Sequence, residues 1–159
     1  MEIVRLRATD LAVARRTFVM MGEAFDEPAR QPLSHAYLSK LLCREEVWLY
    51  AALVEHQPVG GLSAHELPMT RAETAEVLLY DIAVRADWRR RGIGSALVRR
   101  LLADAAATGT VDMWVPADGD DADAFEFYRR IGGTAQTATI FTFPTSAAGA
   151  PPISLASGT

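Results

Sequence analysis

Apolar residues recur along the first quarter of the chain in two spacings, one typical of strands and one typical of helices. Over residues 4–8 apolar side chains alternate with arginines, which predicts a half-buried strand. Apolar side chains then follow at helical spacing over residues 11–21, and Gly22 is placed to end that helix. After a loop with two prolines, Ser34 is suited to cap a short helix whose leucines lie within residues 38–42.

The middle of the chain changes to a run of strands followed by a longer helix. Residues 47–54 are almost wholly apolar, which is typical of a strand buried on both faces. Further strands are predicted over residues 59–67 and 77–84, with turn residues between the segments. Apolar residues at helical spacing over 93–105 predict the next helix, and Gly109 is suited to its C-terminal cap.

The C-terminal part continues this mixed order. Alternation predicts a strand over residues 111–115, and helical spacing predicts a helix over 124–131 that two glycines end. Residues 136–143 are predicted to form one more strand. The Ser, Ala, Gly, Pro and Thr content of residues 144–159 predicts a flexible tail. We therefore expect one α/β domain over residues 1–143.

The composition is that of an ordinary globular domain, because 50% of the 159 residues are hydrophobic and 23% are charged. A single cysteine, Cys43, excludes an internal disulfide, and we expect it to be a small buried residue. The three histidines show no metal-ligand spacing, so no metal is predicted. No apolar run approaches the ~20 residues that span a bilayer, and the N-terminal residues lack the apolar core of a signal peptide. We expect a cytoplasmic protein with no membrane partner.

The net charge is mildly negative, but the charges are unevenly distributed. Sixteen Lys and Arg stand against 20 Asp and Glu, a net charge of −4, which disfavours a nucleic-acid partner. Six of the basic residues nevertheless fall between Arg85 and Arg100. No Lys or Arg occurs between Arg100 and Arg129, a stretch that holds seven acidic residues. The sequence therefore predicts a locally positive segment followed by an acidic one.

A short basic loop and a pair of glycines connect the strand that ends at Val84 to the next helix. Gly92 and Gly94 would let the backbone approach an anion closely, and the first free N–H groups of the helix would point at it. The helix dipole and the neighbouring arginines would add positive potential. The alternative is an arginine-rich helix start in solvent. The motif is neither a P-loop nor a GxGxxG after the first strand.

Two segments resemble landmarks of one enzyme family. Tyr80–Val84 followed by Arg89–Leu97 resembles the acetyl-CoA signature of the GNAT superfamily of N-acetyltransferases, in which a strand is followed by Arg/Gln-x-x-Gly-x-Gly/Ala. Ala124–Gly132 resembles the second landmark, a helix that bears a Tyr and ends in Gly. The resemblance spans Val4–Phe143 and implies the GNAT fold, an α/β fold whose mixed, mainly antiparallel sheet is flanked by helices.

The resemblance also implies how acetyl-CoA, the acetyl donor, would bind. Backbone N–H groups from Arg91 to Ser95 would hold the pyrophosphate, and the strand edge at residues 82–84 would pair with the pantetheine arm. Arg89 or Arg90 would meet the outer phosphates. Many relatives carry Asn in the loop before the Tyr helix, whereas this loop has none. The implied acetyl-CoA residues are Ile82, Ala83, Val84, Arg89, Arg90, Arg91, Gly92, Ile93, Gly94 and Ser95.

Acetyl transfer to an amine needs a base for the proton on nitrogen, and the departing thiolate benefits from a proton donor. Asp81 interrupts an apolar run, where an unpaired carboxylate is expensive to bury, so we predict that it is the base. A structural hydrogen bond is the alternative role for Asp81, and Glu76, acting through water, is a second candidate base. By resemblance Tyr128 would lie near the CoA sulfur and act as the general acid, unless it is only a core aromatic side chain.

The acidic loop, residues 118–123, suits a polycationic acceptor because ammonium groups need carboxylate partners. A solvated, helix-capping loop is the alternative. A closer resemblance within the GNATs, to type-I aminoglycoside 3-N-acetyltransferases of the gentamicin-acetylating class, favours the acceptor role. The segments that carry this closer resemblance are Phe25, Tyr37–Leu42, Gly60–Pro68, Glu76–Val84 and Ala117–Asp121. The substrate-binding residues it implies are Tyr80, Asp81, Asp118, Asp120 and Asp121.

That resemblance implies acetylation of the 3-amino group of an aminoglycoside, with antibiotic resistance as the result. Asp81 would be the base for that amine, and Tyr80 would lie beside it. His65 stands where relatives carry Tyr. The family resemblance also implies a homodimer. Two alternatives stay open, a GNAT for another polyamine or peptide amine and a non-catalytic acyl-CoA-binding module, although the presence of both Asp81 and Tyr128 favours an enzyme.

Overall fold

The computed structural model describes residues 1–25, 32–118 and 120–143, so the predicted tail at 144–159 lies outside the described residues. Short 3-10 turns occupy Ala8–Asp10 and Ala86–Trp88. The strands are β1 (Glu2–Arg5), β2 (Val47–Val54), β3 (Gln57–Pro68), β4 (Ala75–Val84) and β5 (Asp112–Trp114), and the helices are α1 (Leu11–Ala24), α2 (His35–Leu42), α3 (Ile93–Thr108) and α4 (Ala122–Arg130).

The strands described here form one sheet in the order β1-β2-β3-β4-β5. Neighbours from β1 to β4 are antiparallel, whereas β5 pairs with β4 in parallel. A parallel pair needs a crossover connection, and α3 supplies it. The predicted α/β architecture with a mixed, mainly antiparallel sheet is therefore confirmed.

Helices cover both faces of the sheet, because alternate side chains of each strand point to opposite faces. On one face α3 packs over β2, β3 and β4, with Leu97, Val98 and Leu101 buried among Tyr50, Leu62 and other strand residues. On the other face α1 and α2 pack over the sheet with their own buried apolar side chains. No helix in the described part of the chain is long and apolar enough to cross a membrane.

A β-bulge interrupts the pairing of β3 with β4. Ser63 lies opposite Asp81, but the next residue, Ala64, lies opposite Leu79, so Tyr80 is an extra residue on β4. The extra residue reverses the alternation of β4. As a result Leu79 and Ile82 both face the α3 side of the sheet, although they are three residues apart.

The predicted strand over residues 136–143 is wrong, because the structure has no strand between residues 134 and 143. Phe141 and Phe143 are 77% and 80% exposed. The residue types favour a strand, but a strand also needs an edge to pair with, and no described strand lies against this segment.

Cys43 was expected to be buried, but it caps the end of α2 and is exposed.

Candidate functional site

The backbone before α3 makes a tight turn in which two residues have left-handed conformations. Gly92, the N-cap of α3, has φ +77°, and Arg90 has φ +63°. A Cβ on Gly92 would meet no atom within 4 Å, so conformation rather than space requires glycine there. Left-handed backbone is strained for Arg90, and strain of this kind clusters at ligand sites. The first hydrogen bond of α3 runs from the N–H of Ala96 to the Gly92 carbonyl at 3.0 Å, which leaves the preceding N–H groups without helical partners.

A cavity of about 420 Å³ opens at this helix start. All of the predicted acetyl-CoA residues line it except Ala83 and Arg91. Ala83 packs on the opposite side of the sheet against Met20 and Met21 of α1. The Arg91 guanidinium donates to the Asp87 carbonyl at 3.1 Å. The complete lining is Ile82, Val84, Trp88, Arg89, Arg90, Gly92, Ile93, Gly94, Ser95, Asp123, Phe127 and Arg130.

The two arginines predicted for the outer phosphates differ in their surroundings. The Arg89 guanidinium donates to the Val84 carbonyl at 3.2 Å and to the Ala24 carbonyl, at the end of α1, at 3.4 Å. These two hydrogen bonds hold the Arg89 side chain in the wall of the cavity. Arg90 is exposed and also lines the cavity. The geometry makes Arg90 better placed than Arg89 to turn toward a phosphate.

Sequence reasoning missed the contribution of α4 to this cavity. Asp123, Phe127 and Arg130 line it from positions i, i+4 and i+7, which lie on one face of a helix. The Phe127 ring comes so close to α3 that a Cβ on Gly94 would lie 3.3 Å from it. A side chain at Gly94 would therefore have to displace the Phe127 ring by a few tenths of an ångström. The helical spacing of these three residues indicates that they share one face of α4, but it does not indicate what that face contacts.

One edge of β4 is open beside the cavity. β5 pairs only with Glu76, Val77 and Leu78, so within the described residues 79–84 have no strand partner on that side. An extended ligand can add to such an edge through main-chain hydrogen bonds. The open stretch leads into the cavity, whose lining begins at Ile82 and Val84. The glycine turn, the cavity and the open edge together fit a ligand with a phosphate end and an extended arm, as acetyl-CoA has.

The bulge brings four candidate acceptor-side residues together. The Ser63 hydroxyl donates to Asp81 Oδ2 at 3.2 Å across the β3–β4 pair. Beside them the rings of His65 and Tyr80 meet edge to face, with 5.4 Å between their centroids. Tyr80 is 46% exposed, so an aromatic surface lies next to the partly buried carboxylate of Asp81. Glu76 lies five residues earlier on β4, roughly 15 Å away at the rise of a strand.

Tyr128 is a partly buried residue of α4. Burial, with a smaller contribution from the charge of Asp121, raises the pKa of Tyr128 to about 12. The phenol therefore keeps its proton at neutral pH and can donate it. Neither Tyr128 nor Asp81 lines the cavity itself, but each is the chain neighbour of a residue that does, Phe127 and Ile82 respectively.

The acidic loop contains both structural and exposed carboxylates. Asp121 is the N-cap of α4, and its Oδ1 accepts a hydrogen bond from the Ala124 N–H at 2.9 Å. Asp118 accepts from the Asp120 N–H at 3.3 Å, and both of these residues are exposed. Helix capping thus accounts for Asp121, while Asp118 and Asp120 present charge to solvent. Among the described residues, no group of three His, Cys, Asp or Glu side chains is placed to hold a metal ion.

Residues 15–133 match the model of the acetyltransferase (GNAT) family. The chain belongs to the GNAT family. Its sheet and helices form the GNAT fold, as the resemblance implied. GNAT acetyltransferases take the acetyl group from acetyl-CoA, so the predicted donor is confirmed as well.

Solved structures similar to this GNAT protein include two soil enzymes. An aminoglycoside acetyltransferase from an uncultured soil metagenomic sample, meta-AAC0020, crystallised with sisomicin, has a TM-score of 0.86 and 28% identity, covering 91% of this chain and 95% of that one. A second soil-metagenome aminoglycoside acetyltransferase, HMB0005, has a TM-score of 0.85 and 31% identity over 91% of this chain and 98% of that one.

Curated relatives resemble only part of the protein. An uncharacterised N-acetyltransferase of Methanocaldococcus jannaschii is 32% identical over 99 residues, 60% of this chain and 43% of that protein. The ribosomal protein bS18-alanine N-acetyltransferase of Salmonella typhimurium is 30% identical over 78 residues, 49% of this chain and 53% of that protein. The chain thus spans about half the length of the curated relatives that it matches.

Proposed function

We propose that this protein transfers the acetyl group of acetyl-CoA to the 3-amino group of a gentamicin-class aminoglycoside and thereby confers resistance. The observation that carries the proposal is the cluster at the β4 bulge, where Asp81 lies beside the exposed Tyr80 and its partner His65. A carboxylate next to exposed aromatic rings suits an amine on a bulky cationic ring system. The similarity to soil aminoglycoside acetyltransferases over 91% of the chain supports the acceptor class.

At the cofactor end, the main chain does most of the binding. The N–H groups from Arg91 to Ser95 hold the pyrophosphate at the start of α3. The open edge of β4 at residues 82–84 pairs with the pantetheine arm. Arg90 meets the outer phosphates, while Arg89 keeps the wall in place through its two carbonyl contacts. Arg130 of α4, on the other side of the cavity, adds a second guanidinium.

At the reacting end, two side chains of the protein transfer protons. Bound acetyl-CoA supplies a thioester carbonyl for attack by the amine. Asp81, directly or through a water molecule, takes the proton from the acceptor ammonium so that the nitrogen lone pair can form the new C–N bond. Tyr128 gives its proton to the sulfur as the C–S bond breaks, and the second proton that the nitrogen loses on becoming an amide returns the phenolate to a phenol. No acyl-enzyme is needed, and Cys43 lies exposed at the end of α2, outside both landmark motifs.

The acidic loop attracts the acceptor. Asp118 and Asp120 are exposed, and their carboxylates attract a polycation that comes close to the site. Asp121 contributes charge as well as capping α4. The predicted cytoplasmic location is consistent with access to acetyl-CoA and stays a prediction.

A thiol-release assay tests the proposal directly. Purified protein with acetyl-CoA is given gentamicin, spermidine, a peptide with an N-terminal alanine, or no acceptor, and NMR of the product locates the acetyl group. We expect release with gentamicin and acetylation at the 3-amino nitrogen. Release with the alanine peptide alone would instead support the second candidate function, peptide N-terminal acetylation, which the similarity to bS18-alanine acetyltransferases favours. Binding of acetyl-CoA without release for any amine would indicate a non-catalytic module.

We further propose that the protein works as a homodimer in which a second copy covers the C-terminal segment, residues 134–143. Phe141 and Phe143 are largely exposed, and β5, the last strand of the sheet, exposes 46% of Trp114. The same chain thus offers both an unpaired segment of strand-forming residues and an open edge, so two copies can complete each other symmetrically.

Light scattering after gel filtration should give twice 17.3 kDa. Phe141→Ser with Phe143→Ser should give a monomer, whereas Leu102→Ser, at an exposed apolar residue of α3, should not. A monomeric native protein would contradict the dimer.

A further inference from the structure

Ser63 is a buried polar side chain in a segment of β3 that is otherwise apolar. It is 8% exposed and lies between Leu62 and Ala64, which both belong to the core under α3. Its hydroxyl donates to Asp81 Oδ2 at 3.2 Å. A buried hydroxyl needs such a partner, so the contact is a fixed part of the structure.

The β-bulge explains why this contact exists. Because Tyr80 is the extra residue, Asp81 falls directly opposite Ser63, on the face of the sheet that α1 covers. On that face Gly61 lies against Thr17 and Met21, and Ala83 lies against Met20 and Met21. The Asp81 side chain therefore lies on the same face of the sheet as these contacts. A hydroxyl from the neighbouring strand can hold it in one orientation there.

We propose that Ser63 is a positioning residue for Asp81. Its O–H fixes the carboxylate relative to the acceptor amine. Ser63 does not contact the substrate; its effect passes through Asp81. The inference rests on the proposed function, which makes Asp81 the base.

A double-mutant cycle with gentamicin as acceptor tests this role. Ser63→Ala should lower kcat about 10-fold, the scale of a hydrogen bond to a charged group, while the KM for acetyl-CoA stays within about twofold. Ser63→Thr keeps the hydroxyl and should retain at least about half of kcat. In the Asp81→Asn background, Ser63→Ala should cause no further loss, because residues that act as one unit are not additive.

Thr17→Val is the matched control. Thr17 is also buried, and its hydroxyl donates to the Val13 carbonyl at 2.9 Å, so this variant removes a buried hydroxyl at nearly constant volume. It should leave kcat unchanged. Far-ultraviolet circular dichroism and thermal unfolding check each variant, and if Ser63→Ala does not fold, Ser63→Cys replaces it in the cycle because its side chain is similar in size and a weaker donor.

The outcomes separate this inference from the function it rests on. A Ser63→Ala enzyme with full kcat overturns the positioning role only. The same holds if Ser63→Ala lowers kcat equally in the wild-type and the Asp81→Asn backgrounds while Asp81→Asn alone is impaired. A fully active Asp81→Asn enzyme overturns the proposed base and the positioning role with it. Absence of thiol release with gentamicin overturns the proposed acceptor.

Discussion

The proposed cofactor end and the proposed acceptor end of this site offer different groups of the protein to their ligands. At the cofactor end, a left-handed Gly92, a helix start and an open strand edge present main-chain groups to the ligand. At the acceptor end, the side chains of Ser63, His65, Tyr80 and Asp81 meet across two strands at a bulge. Main-chain binding tolerates many side-chain changes, whereas side-chain recognition changes with each substitution. Such a difference would let one fold keep a common donor while its acceptor varies.

The largest effect should come from the acceptor end. Asp81→Asn removes the proposed base and should lower kcat by about 10²- to 10⁴-fold, the usual contribution of a positioned general base. The Kd for acetyl-CoA should stay the same, because Asp81 does not line the cavity. Steady-state kinetics at saturating substrates measure the first effect and calorimetry the second. Cys43→Ala is the control for direct transfer, and its kcat should be nearly unchanged.

Tyr128→Phe keeps the aromatic packing and removes only the proton donor. Because a thiolate is already a fair leaving group, kcat should fall by about 10- to 100-fold. The raised pKa of about 12 keeps the phenol protonated, so the donor is present throughout the range from about pH 6 to pH 9 and is lost only as the pH approaches that pKa. The ratio of wild-type to variant kcat should therefore be constant over this range. A ratio that falls toward unity by about pH 9 would contradict the role of Tyr128 as the acid.

The cofactor end can be tested with two glycines of one helix. Gly92 and Gly109 are the caps of α3, both have φ +77°, and neither would have a Cβ contact within 4 Å. Aspartate at either position should cost about 1–2 kcal/mol of stability through left-handed strain. Only Gly92→Asp should also weaken acetyl-CoA binding, by about 10-fold, since it adds a negative charge where the N-terminus of α3 attracts anions. Equal affinities for acetyl-CoA in the two variants would remove the phosphate-site assignment.

The smallest effect should come from the acidic loop. Asp118→Asn with Asp120→Asn should raise the KM for gentamicin a few-fold and flatten its salt dependence, because exposed charges act over only ~8 Å at physiological ionic strength. Asp121→Asn removes the third charge of the loop, but Asn caps a helix as well as Asp does, so α4 should stay intact and the KM should rise by less than in the double variant. An unchanged KM in the double variant would mean that the loop serves only to cap α4.

Much of the fold followed from local patterns in the sequence. The apolar run at residues 47–54 coincides with β2, and the glycine pair after β4 predicted the start of α3 within a residue. These features are local, because a helix cap or a buried strand depends on residues close together in the chain. The strand predicted over 136–143 failed for the opposite reason. Its residue types favour a strand, but pairing requires a neighbouring edge that the sequence does not specify.

The sequence by itself predicted the proposed donor site, because Gly92, Gly94 and the arginines before them lie close together in the chain and their geometry is that of a single turn. Only the tertiary structure brought together the residues of the proposed acceptor site. The bulge at Tyr80 is a property of the β3–β4 pairing, and neither strand alone shows it. It places Asp81 against Ser63, which is 18 residues away in sequence. Register is a relation between two strands, so alternation within one strand cannot reveal which side chains will meet across the pair.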